Sequence, residues 1–169
     1  RVGRLRPAAY RAVRTAHIVV SGGWLGVGLG KLVLEIAALT TGSAQRAGAL
    51  FAAATAIGCA FPPMIVATLL SGVALAVGTR WGLLRYYWVV TKLGLSLAVV
   101  VTAMALVDGW ADQAWPFHRD RADAVPECAA GPLGMLTSLS GVYMVMLLVA
   151  TVVSVYKPWG RIDWRRPFL

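Results

Sequence analysis

Charge is almost missing from the long apolar runs of this 169-residue chain. Of its 16 Lys and Arg and seven Asp and Glu, only Lys31, Glu35 and Lys92 fall well inside four stretches of roughly membrane-spanning length, with Arg14 at the very start of the first. A soluble helical domain scatters charge every few positions. Here charge gathers at the ends of the runs, and a 59% hydrophobic fraction with a mean hydropathy of +0.71 excludes that class. Cysteine is scarce too. Cys59 is expected in mid-membrane as a small buried apolar residue and Cys128 in a loop, so no disulfide framework is available. Histidine is limited to His17 and His118, expected on opposite sides of the membrane, which removes a facing bis-histidine haem site. Polarity does not alternate over segments of about ten residues, which excludes a β-barrel. No strand precedes a glycine-rich phosphate loop.

What is present reads as an all-α membrane protein, a four-transmembrane-helix bundle forming a single domain over 1–169. Helices satisfy their own backbone hydrogen bonds in lipid, and a hydrocarbon core of about 30 Å takes about 20 residues. The predicted spans are 12–39, 49–77, 87–107 and 133–156, with an outer loop over 108–132. The first run is too long for a signal-peptide core, and no small-residue cleavage site follows it.

Lys and Arg set the orientation. Eleven lie on one side: Arg1, Arg4, Arg6, Arg11 and Arg14 before the first span, Arg80 and Arg85 between the second and third, and Lys157, Arg161, Arg165 and Arg166 after the fourth. Only Arg46, Arg119 and Arg121 lie on the other, so both termini are expected in the cytoplasm of a multi-pass cell-membrane protein. The net charge of +9 follows from this asymmetry, and its expected partner is anionic lipid headgroups rather than nucleic acid. Trp81, Tyr86, Tyr87, Trp88, Tyr156 and Trp159 mark the inner boundary, and Trp110 and Trp115 the outer one.

The first span carries two specialised faces. At 100° per residue, His17, Ser21, Trp24, Gly28, Lys31 and Glu35 fall within about 40° of one line. Gly22, Gly26 and Gly30 form a small-xxx-small ridge on the opposite side, suited to close approach by another helix. Such a helix is either central in its bundle or lends a face to another chain. Lys31 and Glu35 are one turn apart and can form an intramembrane ion pair. Lys92, five residues into the third span, matches His17 in depth. His17, Ser21, Trp24, Tyr87, Trp88 and Lys92 could therefore form an inner-leaflet pocket for an acidic headgroup, a quinone or another amphipathic ligand. The plainer reading has Lys92 snorkelling to lipid phosphates.

Other chemistry finds less support. His17 with a methionine thioether from Met64, Met104, Met135, Met144 or Met146 is an open haem ligand pair, but membrane methionines ordinarily pack, and no cofactor is assigned. His118, Asp120, Asp123, Glu127 and Cys128 match no metal-ligand spacing, so no metal is assigned. His17 and Ser21 lack an acid within reach, because Glu35 lies about 27 Å away along the helix. Pro62-Pro63 should bend the second span. Ser-Gly recurs at 21–22, 71–72 and 140–141, too short a unit to establish a repeat.

The stretch from His17 to Gly26, H-I-V-V-S-G-G-W-L-G, resembles the first helix of a group of uncharacterised bacterial four-helix integral membrane proteins. Gly78-Thr79-Arg80-Trp81-Gly82-Leu83, Tyr87-Trp88-Val89 with Lys92, and Tyr156-Lys157-Pro158 are similar to that group's inner loop, third-helix entry and fourth-helix end. A more distant similarity links such first helices to the membrane domain of copper-resistance proteins. The resemblance implies the four-helix fold and draws attention to His17, Trp24, Arg80, Trp81 and Lys92. It implies no activity.

With no catalytic constellation, the leading expectation is a non-enzymatic accessory, assembly or stabilising subunit of a larger bacterial membrane complex, partnered by other membrane subunits or by its own copies. The alternative is a ligand-binding or transport protein for a lipid, quinone or ion, using the His17/Lys92 pocket. A haem- or quinone-linked redox protein is the third.

Overall fold

The chain begins its first helix where proline is cheapest. In a computed structural model describing residues 5–79, 82–114, 127–157 and 159–162, α1 spans Pro7–Thr40 with Pro7 in its first turn. A proline there gives up an N–H that has no helical acceptor anyway. The helix stops at a short link in which Ser43 Oγ accepts from Arg46 N and caps α2, Ala44–Gly58. The next helix, α3, spans Phe61–Val77, α4 spans Tyr87–Ala114 and α5 spans Glu127–Tyr156. Among the described residues there is no β-strand beyond a single bridge between Tyr86 and Arg161.

Four spans are long and apolar enough to cross a membrane: Pro7–Thr40, Ala44–Val77, Tyr87–Ala105 and Leu133–Tyr156. The second is made of α2 and α3. Pro62 and Pro63 cannot donate to the carbonyls one turn back, so the chain tightens at Cys59–Ala60 through Cys59 N to Ala56 O (3.3 Å) and Ala60 N to Ile57 O (3.0 Å), then restarts. The helix is interrupted there, next to the prolines. Cys59 departs from expectation: it is exposed on the molecular surface, and its Sγ reaches only its own helix at Thr55 O.

The helices also outrun their apolar stretches. Residues 108–114 continue α4 and 127–132 open α5, where a loop was expected over 108–132. Hydropathy marks where lipid lies. It does not mark where the backbone stops being helical, and residues such as Ala111, Gln113 and Ala114 continue a helix outside lipid readily.

Helix α1 packs on α2, α3 and α5, and α4 packs on α5, so the expected central position belongs to α1. Small side chains make the contacts. Ala38, Ala47, Ala54, Ala76 and Ala150 are buried, as are the larger Phe51, Leu133 and Leu136, which cluster with Ala38 at one end of the bundle. Large aliphatics point outward instead, with Leu70, Val101 and Val155 at 66%, 63% and 70% exposure, as expected when the solvent is hydrocarbon.

At the other end, here the basal end, Leu5 and residues 161–162 meet the α3–α4 link. Leu5 N donates to Gly78 O (3.1 Å), and the Leu5 side chain leaves no room for a Cβ at Gly78. Ile162 N donates to Arg85 O (3.0 Å), and Arg161 Nε donates to Tyr86 Oη (3.0 Å) with its guanidinium over the Tyr86 ring. Lys157 ends α5 in a left-handed conformation (φ 48), a helix stop reinforced by the following proline.

Candidate functional site

A cavity of about 790 Å³ opens at the basal end, lined by α1, α3, α4 and α5. Helix α1 contributes Tyr10, Arg14 and His17, α3 contributes Thr68 and Gly72, α4 contributes Trp88, Lys92 and Ser96, and α5 contributes Ser154 and Lys157. His17 and Lys92, matched in depth by sequence alone, meet here: Lys92 Nζ is 3.4 Å from His17 Nε2.

Hydrogen bonding orders this pair. The single Ser71 hydroxyl proton has a good acceptor in Ala67 O at 2.6 Å, so Ser71 Oγ accepts from His17 Nδ1–H at 2.9 Å. In that tautomer Nε2 carries a lone pair facing Lys92. The ammonium also donates to Ser154 Oγ at 3.4 Å, and its third N–H is left for something else. Gly72 makes the approach possible, since a Cβ there would lie 3.2 Å from His17 Cε1.

The wall is one-sided in charge. Arg14, Lys92 and Lys157 line it, and among the described residues no carboxylate does. Thr68, only 5% exposed, lines the same cavity, and its Oγ1 is buried without a hydrogen-bond partner. At the mouth, the Lys157 ammonium sits 5.8 Å from the centre of the Trp88 ring.

Farther along α1 lies a second polar group. Lys31 Nζ pairs with Glu35 Oε1 and donates to Ser140 Oγ on α5 at 3.4 Å. Glu35 is fully buried, and its Oε2 has no partner. The two groups are separated by about 21 Å along the helix axis, with the buried Trp24 between them.

Of the six residues expected to form the inner pocket, His17, Trp88 and Lys92 line the cavity. Ser21 donates to its own helix at His17 O (2.5 Å), Trp24 is buried without lining the cavity, and Tyr87 is 43% exposed away from it. Sequence reasoning missed Thr68, Ser71, Gly72 and Ser154. The recurring Ser-Gly pairs were the available signal: Ser71 and Gly72 receive His17, and Ser140 receives Lys31. Both ring nitrogens of His17 have partners within the chain, Ser71 Oγ and Lys92 Nζ.

The glycine ridge behaves differently from a packed interface. A Cβ at Gly22, Gly26 or Gly30 would meet nothing within 4 Å, so the expected close approach is not made within the chain. It falls instead at Gly23 against Met64, Gly28 against Met144 and Gly72 against His17. Helical phase accounts for Gly28, which meets α5 from the side of α1 opposite the ridge, whereas Gly23, which meets α3, lies only about 60° from the ridge's midline. His118, Asp120, Asp123, Arg80 and Trp81 lie outside the described residues, as do the side chains of Glu127 and Cys128. No protein-family model, curated protein or solved structure matches the chain.

Proposed function

We propose that this chain is a non-enzymatic membrane protein that binds an anionic group in the basal cavity, with Lys92 as the principal contact and His17 as the residue that holds Lys92 in place. The observation that carries this reading is an ammonium inside an apolar span with no carboxylate beside it among the described residues. A Lys costs about 2.5–3.5 kcal/mol at the centre of a span and less toward its end, where Lys92 lies, and a bound anion offsets that cost. The spare Lys92 donor and the flanking Arg14 suit the same charge.

The test is chemical content. Wild-type protein and Lys92→Met, purified gently from membranes, are compared by mass spectrometry of bound lipids and small molecules. Depletion of one anionic species in the variant is expected. Identical content in the two overturns the reading. Orientation is part of the proposal: with the basal end cytoplasmic, an impermeant thiol reagent outside the membrane labels Cys128, and labelling of Cys128 only from the cytoplasmic side reverses it.

The uncovered ridge favours a second reading, an accessory subunit that lends Gly22, Gly26 and Gly30 to another chain. Gly26→Leu then reduces the native particle size while the chain still inserts. An unchanged particle means the ridge faces lipid.

A further inference from the structure

The geometry points to a phosphomonoester lipid as the ligand, entering sideways from the bilayer with its head at Lys92 and its chains in the seam between α3 and α4. This rests on the anion-binding reading above and names its source.

The bundle is not closed. Helix α1 packs on α3 and on α5, and α5 packs on α4, but α3 and α4 scarcely touch although both line the cavity. The missing wall therefore faces lipid. Leu69 and Val73 of α3 and Leu93 of α4 line the cavity with apolar surface, and Val73 is 37% exposed. Just beyond, Leu70 and Leu97 are 66% and 45% exposed. A free inorganic anion would satisfy Lys92 and leave this apolar surface uncovered. A lipid satisfies both, and a cavity of about 790 Å³ is of a size that encloses a substantial part of an organic ligand.

Head chemistry follows from the donors. Lys92 and Arg14 face the cavity with no acid lining it among the described residues, and Lys157 sits over Trp88 at its edge. A phosphomonoester brings close to two negative charges and three terminal oxygens, whereas a phosphodiester brings one charge and two such oxygens. Lys92 lies five residues into α4, about 7.5 Å along the axis, so a head drawn from the adjacent leaflet needs only a short inward displacement.

The experiment uses the full chain in phosphatidylcholine nanodiscs containing equal mole fractions of phosphatidic acid and phosphatidylglycerol, with retained lipid measured by native mass spectrometry. Radiolabelled inorganic phosphate is the second probe. Wild-type protein is expected to retain phosphatidic acid over phosphatidylglycerol by about tenfold or more, and Lys92→Met to lose that preference. Val73→Trp, which fills the seam and leaves every cation in place, is expected to lose it as well, while Val73→Ala and Lys92→Arg keep it and report that substitution at these positions is tolerated. Equal retention of the two lipids, with inorganic phosphate bound and lost in Lys92→Met, overturns the lipid and leaves the anion site standing. Binding of neither probe overturns both. Full retention by Val73→Trp overturns lateral entry.

Discussion

Two lysines sit inside apolar spans of this protein, and their surroundings could hardly differ more. Lys31 has Glu35 one turn away on its own helix, and the carboxylate is fully buried against it. Lys92 has a histidine and a serine, contributed by two other helices, and no carboxylate among the described residues. The first arrangement pairs its charges within the chain. In the proposed function the second is completed by a charge from outside it.

The largest effect should come from breaking the closed pair. Glu35→Ala leaves the partly buried Lys31 ammonium with Ser140 alone and should cost up to about 3–5 kcal/mol, measured as a fall in the unfolding midpoint in mixed detergent and SDS. Lys92→Met should cost less than about 1 kcal/mol in the same assay, because it removes a charge that has no partner acid among the described residues. Similar losses for both would erase the distinction. The double change Lys31→Met with Glu35→Leu sharpens it, since removing both charges of a buried pair is close to neutral where removing one is not.

Smaller effects separate how each lysine's neighbourhood is packed. Gly72→Ala drives a Cβ to 3.2 Å from a His17 ring that Ser71 holds, and overpacking of that kind costs about 1–3 kcal/mol. Gly28→Ala meets only the mobile end of Met144, at 3.1 Å, so the better helix propensity of alanine should leave it neutral or slightly stabilised. Equal destabilisation of the two would show that the His17 ring is not held. Smallest of all, Ser71→Ala removes one hydrogen bond from His17 and should cost about 1 kcal/mol while lowering retention of the bound anion. A stability loss with unchanged retention would mean that His17 does not position Lys92.

Much of this was legible from residue order. The spans follow from hydropathy, and the helix interruption next to Pro62-Pro63 follows from missing backbone donors. The Lys31–Glu35 pair was visible because helical spacing is a local property: residues four apart share a face whatever the rest of the chain does. His17 and Lys92 could be matched in depth, since depth is rise per residue counted from a boundary. Whether two side chains at one depth also share an azimuth depends on how α1 and α4 are rotated about their axes. That information is not local.

The same limit explains the misplacements. Ser21 and Trp24 share the His17 stripe, yet one bonds its own backbone and the other is buried outside the cavity. Gly22, Gly26 and Gly30 carry the small-residue pattern, yet Gly23 and Gly28 are the glycines that meet neighbouring helices.

Sequence by itself determined that the chain crosses a membrane four times, where its charges gather, and which acid neutralises Lys31, because each of these depends on residues close together along the chain. Tertiary structure alone decided that Ser71, Gly72 and Ser154 receive His17 and Lys92, that the glycine ridge stays uncovered, and that α3 and α4 stand apart. Those outcomes depend on the relative rotation of whole helices, which is set by many weak packing contacts between small side chains and leaves no signature at any single position.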